Sequence, residues 1–299
     1  MRTTFRRLGT LAALSALSLA AACSSSSASS STTAPTKYLV NLGDSYAVGY
    51  QPDIGATAGY AGYAAPRLHM TLANFGCAGA TTVSILQTVG CTDVLKNTAG
   101  AQSYPSTTQI EAATTFITKH KGQIGLITVS ISGNDVTACA KDANPVPCVA
   151  QAIDSVKTNV ASLASSLRSA AGAGVPIYGL TYPNVLLGEY VYPKTPPSAA
   201  QVGLAQLSVV AFKTLINPAL YDTYTAVGGT FLDVTSKTGG YIPLTTTVKD
   251  PTYGTIPAAV ASVCSLTWYC AKGDIHAKNS GYDLIGQMIV STYNGAKAG

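Results

Sequence analysis

The stretch from Ile124 to Asp135 reads IGLITVSISGND, and its two halves ask for different surroundings. Residues 124–131 are apolar at nearly every position, without the alternation of a strand that has one wet face. Such a run suits a strand buried on both sides, as in a parallel sheet covered by helices. It stops at Ser132-Gly-Asn-Asp135, where Gly and Asn favour a turn.

Outward from that run, residues 38–42 (YLVNL), 72–75 (LANF), 176–180 (PIYGL) and 230–234 (TFLDV) also read as strands. Between and after them, residues 108–119, 149–171, 199–219 and 280–293 carry helix-like spacing, the last opened by Ser280 and Asp283 as an approximate capping box. This alternation predicts an α/β fold, a three-layer α/β/α sandwich around a mostly parallel sheet. Functional groups in such sheets gather at the carboxyl ends of the strands. Residues 183–267, rich in tyrosine and proline, read as one helix and one strand framed by long loops.

The 299 residues are 47% hydrophobic and only 10% charged, enough apolar material for one domain of roughly 250 residues. Three of the 18 basic residues, Arg2, Arg6 and Arg7, lie at the extreme N-terminus; without them 15 basic residues face 13 acidic ones. With no basic cluster interleaved with aromatics, this balance argues against a nucleic-acid partner.

The N-terminus predicts export. A basic start (MRTTFRR) precedes an apolar stretch over 8–22, which is too short to span a bilayer comfortably and reads as a signal peptide over 1–22. Cys23 follows directly, and the junction resembles a bacterial lipoprotein signal, although Ala20 stands where leucine is usual. The alternative is ordinary secretory cleavage after Ala20-Ala21-Ala22. In the first case Cys23 is lipidated, residues 23–36 form a flexible Ser/Thr-rich tether to the cell envelope, and 37–299 form the domain.

Apart from Cys23, the cysteines fall into three local pairs, which predicts disulfides Cys77–Cys91, Cys139–Cys148 and Cys264–Cys270 in an oxidising compartment. No Cys-x-x-Cys occurs and there are three histidines, so no metal centre is expected.

Four loops carry candidate chemistry. Ser45, in Asn41-Leu-Gly-Asp-Ser-Tyr46, follows the first strand, where Gly43 permits close backbone approach and a helix is expected to begin. Gly79, in the loop after the second strand, can offer an unobstructed N–H, and Asn134 can extend a side-chain amide into the same space. A serine nucleophile needs a base. His69 lies before the second strand, at the far end of the sheet, and His120 reads as a solvated helix terminus, which leaves His276.

Taken in order, Gly43-Asp-Ser-Tyr46, Gly79-Ala-Thr-Thr82, Gly133-Asn-Asp135 and Asp274-Ile-His276 resemble the SGNH (GDSL-type) hydrolases, with local cysteine pairs like those of its secreted lipase and esterase branch. The resemblance spans nearly all of the chain from Lys37 onward. It implies a flavodoxin-like fold and ester hydrolysis without a cofactor. By position it makes Ser45 the nucleophile, the Ser45 and Gly79 amides and the Asn134 side chain the oxyanion hole, and His276 the base. The family's aspartate stands three residues before the histidine; that position is Gly273 here, so either Asp274 or a nearby main-chain carbonyl orients His276. Acyl lipids, short-chain esters and acetylated sugars are the substrates left open, together with an inactive surface-binding module of the same fold.

Overall fold

The computed structural model describes residues 36–91, 98–137, 139 and 142–298. The predicted signal segment and Cys23 lie outside them. The chain divides into two units, Met1–Ala34 and Pro35–Gly299, and every element named below belongs to the second.

Five strands form one parallel sheet: β1 (Lys37–Gly43), β2 (Met70–Asn74), β3 (Ile124–Ser130), β4 (Ile177–Leu180) and β5 (Thr230–Leu232). Their spatial order is β2-β1-β3-β4-β5, the flavodoxin-like arrangement, so the expected α/β/α sandwich is what forms. Every residue of β3 is buried, as its unbroken apolar sequence requires. Both faces of the central strands are apolar: Val40, Leu42, Ile127 and Val129 point into one core, Leu39 and Leu126 into the other. Crossover helices must therefore cover both faces.

The first core is closed by α3 (Gln109–Lys119), α4 (Pro145–Ala171) and α6 (Asn217–Ala226). Helix α4 buries Val149, Ile153, Val156, Val160, Leu163 and Leu167, a stripe with helical period, and opens on Pro145, whose missing N–H costs nothing in a first turn. The second core is closed by α2 (Gly59–Arg67) and α8 (Asn279–Ala298). The expected capping box of α8 does not form. The helix starts at Asn279, Ser280 is carried inside the first turn and donates to the Ser265 carbonyl, and Asp283 pairs with Arg67.

Residues 183–267 are more ordered than their composition suggested. Helix α5 (Ala199–Ala211) passes through one wide turn, Phe212–Ile216, into α6, so the helical path reaches Ala226 rather than stopping near 219. Pro218 has no N–H and crowds the preceding turn; widening that turn accommodates it without ending the helix. A hairpin (Thr247–Asp250, Gly254–Pro257) and α7 (Ala258–Leu266) complete a third, smaller core around Leu187, Ile256, Val260 and Val263. All three expected disulfides are present, with Cα separations of 5.8, 5.6 and 5.1 Å.

In β4, Gly179 lies under the ring of Tyr224 on α6, which a Cβ would overlap. Gly179→Ala is expected to cost about 1–3 kcal/mol through overpacking, read as a lowered midpoint in thermal or urea unfolding.

Candidate active site

The switch point of the sheet lies between β1 and β3, where crossovers leave in opposite directions and open a crevice beyond the strand ends. At the end of β1 the backbone of Gly43 turns at φ 135°, and a Cβ there would overlap the Ser130 carbonyl of β3. The Asp44 N–H donates to that same carbonyl at 3.0 Å. Asp44 then caps the short helix α1 (Ser45–Val48) by accepting from Tyr46 N at 2.9 Å. Ser45 is thus the first helical residue, 7% exposed, and faces the crevice. Helix α1 is held from below: the buried Asn41 and Asn74 amides both donate to the Ala47 carbonyl, at 2.9 and 3.0 Å.

The turn after β3 brings Asn134 into the groove that Ser45 lines. Its amide nitrogen donates to the Ala80 carbonyl at 2.8 Å, which fixes the side chain and leaves its second N–H free to donate elsewhere. Gly79, at φ 80° and with open space where a Cβ would be, sits in the adjoining loop. Asp135 clamps that loop, accepting from Thr82 N at 3.0 Å and from Thr82 Oγ1 at 2.7 Å. The loops after β2 and β3 are therefore joined twice. Ser132, in the same turn, has φ 109°, a strained backbone for a residue with a Cβ.

The loop that carries His276 comes to the crevice from the far end of the chain and puts Ile275 in its lining. The disulfide Cys264–Cys270 closes the turn after α7, and the loop is then pinned by Trp268 N donating to His276 O at 2.9 Å and Lys278 N donating to Leu266 O at 2.8 Å. Tyr46 OH donates to the Ile275 carbonyl at 2.7 Å, tying this loop to the helix that bears Ser45. Asp274 Oδ1 accepts from both His276 N (2.9 Å) and Nδ1 (2.8 Å), so the carboxylate one residue nearer than the family spacing does reach the ring. Gly273, at φ 66°, makes this possible by turning the chain under the Tyr192 ring. No hydrogen bond links Ser45 Oγ to His276 among the described residues; such contacts commonly tighten only when substrate is bound. Of the other histidines, His69 is exposed before β2, and His120 caps α3 and stacks on Phe116 at 4.1 Å, so both lie at the opposite end of the sheet.

Burial displaces one imidazole and one carboxyl of the site from their ordinary ranges. Burial lowers the His276 pKa, and the charge of Asp274 opposes that shift. Burial pushes the Asp44 carboxyl up to about 7, opposed by a hydrogen bond from Tyr182. Tyr182 was not singled out from sequence: its hydroxyl donates to Asp44 Oδ2 at 2.6 Å and accepts from Gly133 N at 3.2 Å. It bridges the Ser45 and Asn134 turns from a position 138 residues away, and no local pattern marks it.

Beyond Ser45 and Asn134 the groove is mostly apolar, lined by Val136, Val149, Leu204, Leu207, Phe212 and Ile216, with Thr137 and Ser208 among them. The chain is similar in fold to an extracellular lipase from Streptomyces rimosus, at 17% identity and a TM-score of 0.50, covering 84% of this chain and 97% of that one. It is similar also to the lipase Lip_vut3 from a goat rumen metagenome, at 16% identity and a TM-score of 0.51, covering 86% and 97%. A comparison with curated proteins returned no match. Residues 42–236, which hold the Gly-Asp-Ser turn, the Gly79 loop and the Asn134 turn, match the GDSL-like Lipase/Acylhydrolase family, and the chain belongs to that family of ester hydrolases.

Proposed function

We propose that the chain is an exported carboxylic-ester hydrolase that works through an acyl-enzyme at Ser45. One observation carries this reading: the Asp274–His276 pair flanks Ile275, whose carbonyl accepts from Tyr46 of the Ser45 helix and which lines the groove shared by Ser45 and Asn134. With Nδ1–H held by Asp274, Nε2 keeps its lone pair and can take the Ser45 proton as Oγ attacks the ester carbonyl. The oxygen that gains the electron pair is held by the backbone N–H groups of Ser45 and Gly79 and by the Asn134 amide. Collapse of this intermediate expels the alcohol, which takes the proton from His276. Water, deprotonated by the same imidazole, then releases the acid.

The apolar groove supports an alkyl or acyl-lipid ester over an acetylated sugar, because it offers a chain few polar partners. The disulfides fit an oxidising compartment outside the cytoplasm. Envelope anchoring through a lipidated Cys23 rests on the order of basic start, apolar stretch and cysteine.

A fluorophosphonate probe should form one adduct, located at Ser45 by peptide mass; no adduct, or one elsewhere, overturns the assignment. Asn134→Ala should lower kcat about 10²–10³-fold, the effect of losing one oxyanion donor, with the unfolding midpoint little changed; activity within a few-fold of wild type would remove Asn134 from the site.

The pH profile has a defined sign. The base must be neutral, so turnover holds above the folded pKa of His276 and is lost as pH falls through it. That acid limb should lie below the ordinary value of 6.5. Asp274→Asn removes the charge that opposes the shift, so the limb should move to lower pH while kcat drops; movement to higher pH contradicts the pairing. Asp44→Asn should leave the limb in place, which separates the two titrating groups.

A further inference from the structure

Helix α5 is unusual in what it hides. Of its thirteen residues only Ala205 and Ser208 are fully buried, while Val202, Leu204 and Val209 are half-buried, Val209 against the third core. Two of its large side chains are turned outward: Leu207 is 41% exposed and Val210 53%. The helical path Ala199–Ala226 contains an 18-residue window as apolar as a membrane span, yet only 17% of that window is buried. A core helix of that composition would have its apolar positions covered. The opposite lip of the groove repeats the pattern, with Val146 at the start of α4 43% exposed. Leu207 and Val146 line the groove that leads to Ser45, so the exposed patch and the reactive serine are one continuous surface.

The charges of the α5 segment have one sign, with Glu189 just before it and Asp142 on the side of the Val146 lip. From Val191 through Ile216, covering the loop before α5, the helix and the wide turn after it, the charged residues are Lys194 and Lys213, both exposed, and no Asp or Glu occurs. Val210 lies one helical turn beyond Leu207, and Lys213 three residues further on, so an apolar ridge ends in a cation. A segment whose exposed apolar side chains are accompanied only by lysines matches a membrane surface carrying anionic head groups, where each cation adds to the burial of the apolar chains.

We propose that the outer face of α5 docks on an anionic lipid surface and delivers acyl esters from it along the groove to Ser45. This rests on the ester-hydrolase reading of Ser45. Docking places the mouth of the groove at the level of the acyl chains. An ester then passes from lipid to groove without exposing its chain to water.

The test uses the unit Pro35–Gly299, which contains all the elements and cores described and lacks the apolar N-terminal stretch. Two variants, Val210→Asp and Lys213→Glu, alter side chains outside the groove lining. Binding is read by co-sedimentation with vesicles of phosphatidylcholine alone or mixed with phosphatidylglycerol. Turnover is read on soluble p-nitrophenyl butyrate and on a long-chain ester dissolved in the mixed vesicles. Wild type should bind the mixed vesicles at least about ten-fold better than the neutral ones, and each variant should lose roughly ten-fold in that binding and in turnover of the vesicle-borne ester. Hydrolysis of the soluble ester should stay within two-fold of wild type. Unchanged vesicle binding in both variants overturns the proposal, as does wild type that binds neither vesicle or both equally. A wild-type dimer that Val210→Asp dissociates assigns the face to a second copy and overturns it too. Vesicle binding with no turnover of either ester by wild type leaves the docking face standing and defeats the ester-hydrolase reading instead.

Discussion

Where β1 ends, Gly43 lies against the carbonyl of Ser130, closer than any residue with a Cβ could come. The rest of the site depends on this approach. It lets Asp44 N donate to the same carbonyl, so the chain leaves the sheet at one defined place and Ser45 opens a helix there. The Gln109 amide brackets the turn from α3, accepting from Gly43 N at 2.8 Å and donating to Gly43 O at 3.1 Å. Because β1 and β3 are the two strands at the switch of the sheet, whatever follows either one faces the same crevice. Ser45 and Asn134 become neighbours for that reason, although nearly ninety residues separate them in the chain.

Electrostatically the crevice is sparse. Asp44 is buried beside Ser45 with two donors, and its carboxyl rises to about 7. A carboxyl whose pKa is raised on folding binds more protons in the native state, so its burial weakens the fold as pH rises between the unfolded and folded values. His276 moves the other way, and its burial favours the neutral ring that the proposed proton transfer requires. The two shifts share one cause, loss of water. Asp44 lines the apolar groove itself, and His276 follows Ile275, which lines it too.

Much of this organisation was legible beforehand. The unbroken run 124–131 implied a strand buried on both faces, and the order of strands and helices implied a parallel sheet with helices on each side. The local cysteine pairs paired as their spacing suggested, since short loops leave few geometries in which distant cysteines can compete. The third core was not legible. Its hairpin and α7 lie in a segment of low charge and frequent Gly and Pro, where local propensity is weak and order comes from packing Ile256, Val260 and Val263 against Leu187. Likewise Ser280 and Asp283 have the residue types of a capping box, but tertiary partners, Ser265 and Arg67, outbid the local pairing.

The sequence by itself determined the fold class, the three bridges and the four loops that carry reactive residue types, because each is written in local pattern: periodicity, turn residues and spacing. Only the tertiary structure decided how those loops meet. It brought Asp274 to His276 despite the shifted spacing, since Gly273 turns the chain at positive φ. It placed Tyr182 between the two turns that hold Ser45 and Asn134. It also left Leu207 and Val210 of α5 uncovered, which no periodicity could reveal. An amphipathic pattern says that a helix has an apolar face, but which face is buried depends on what folds against it.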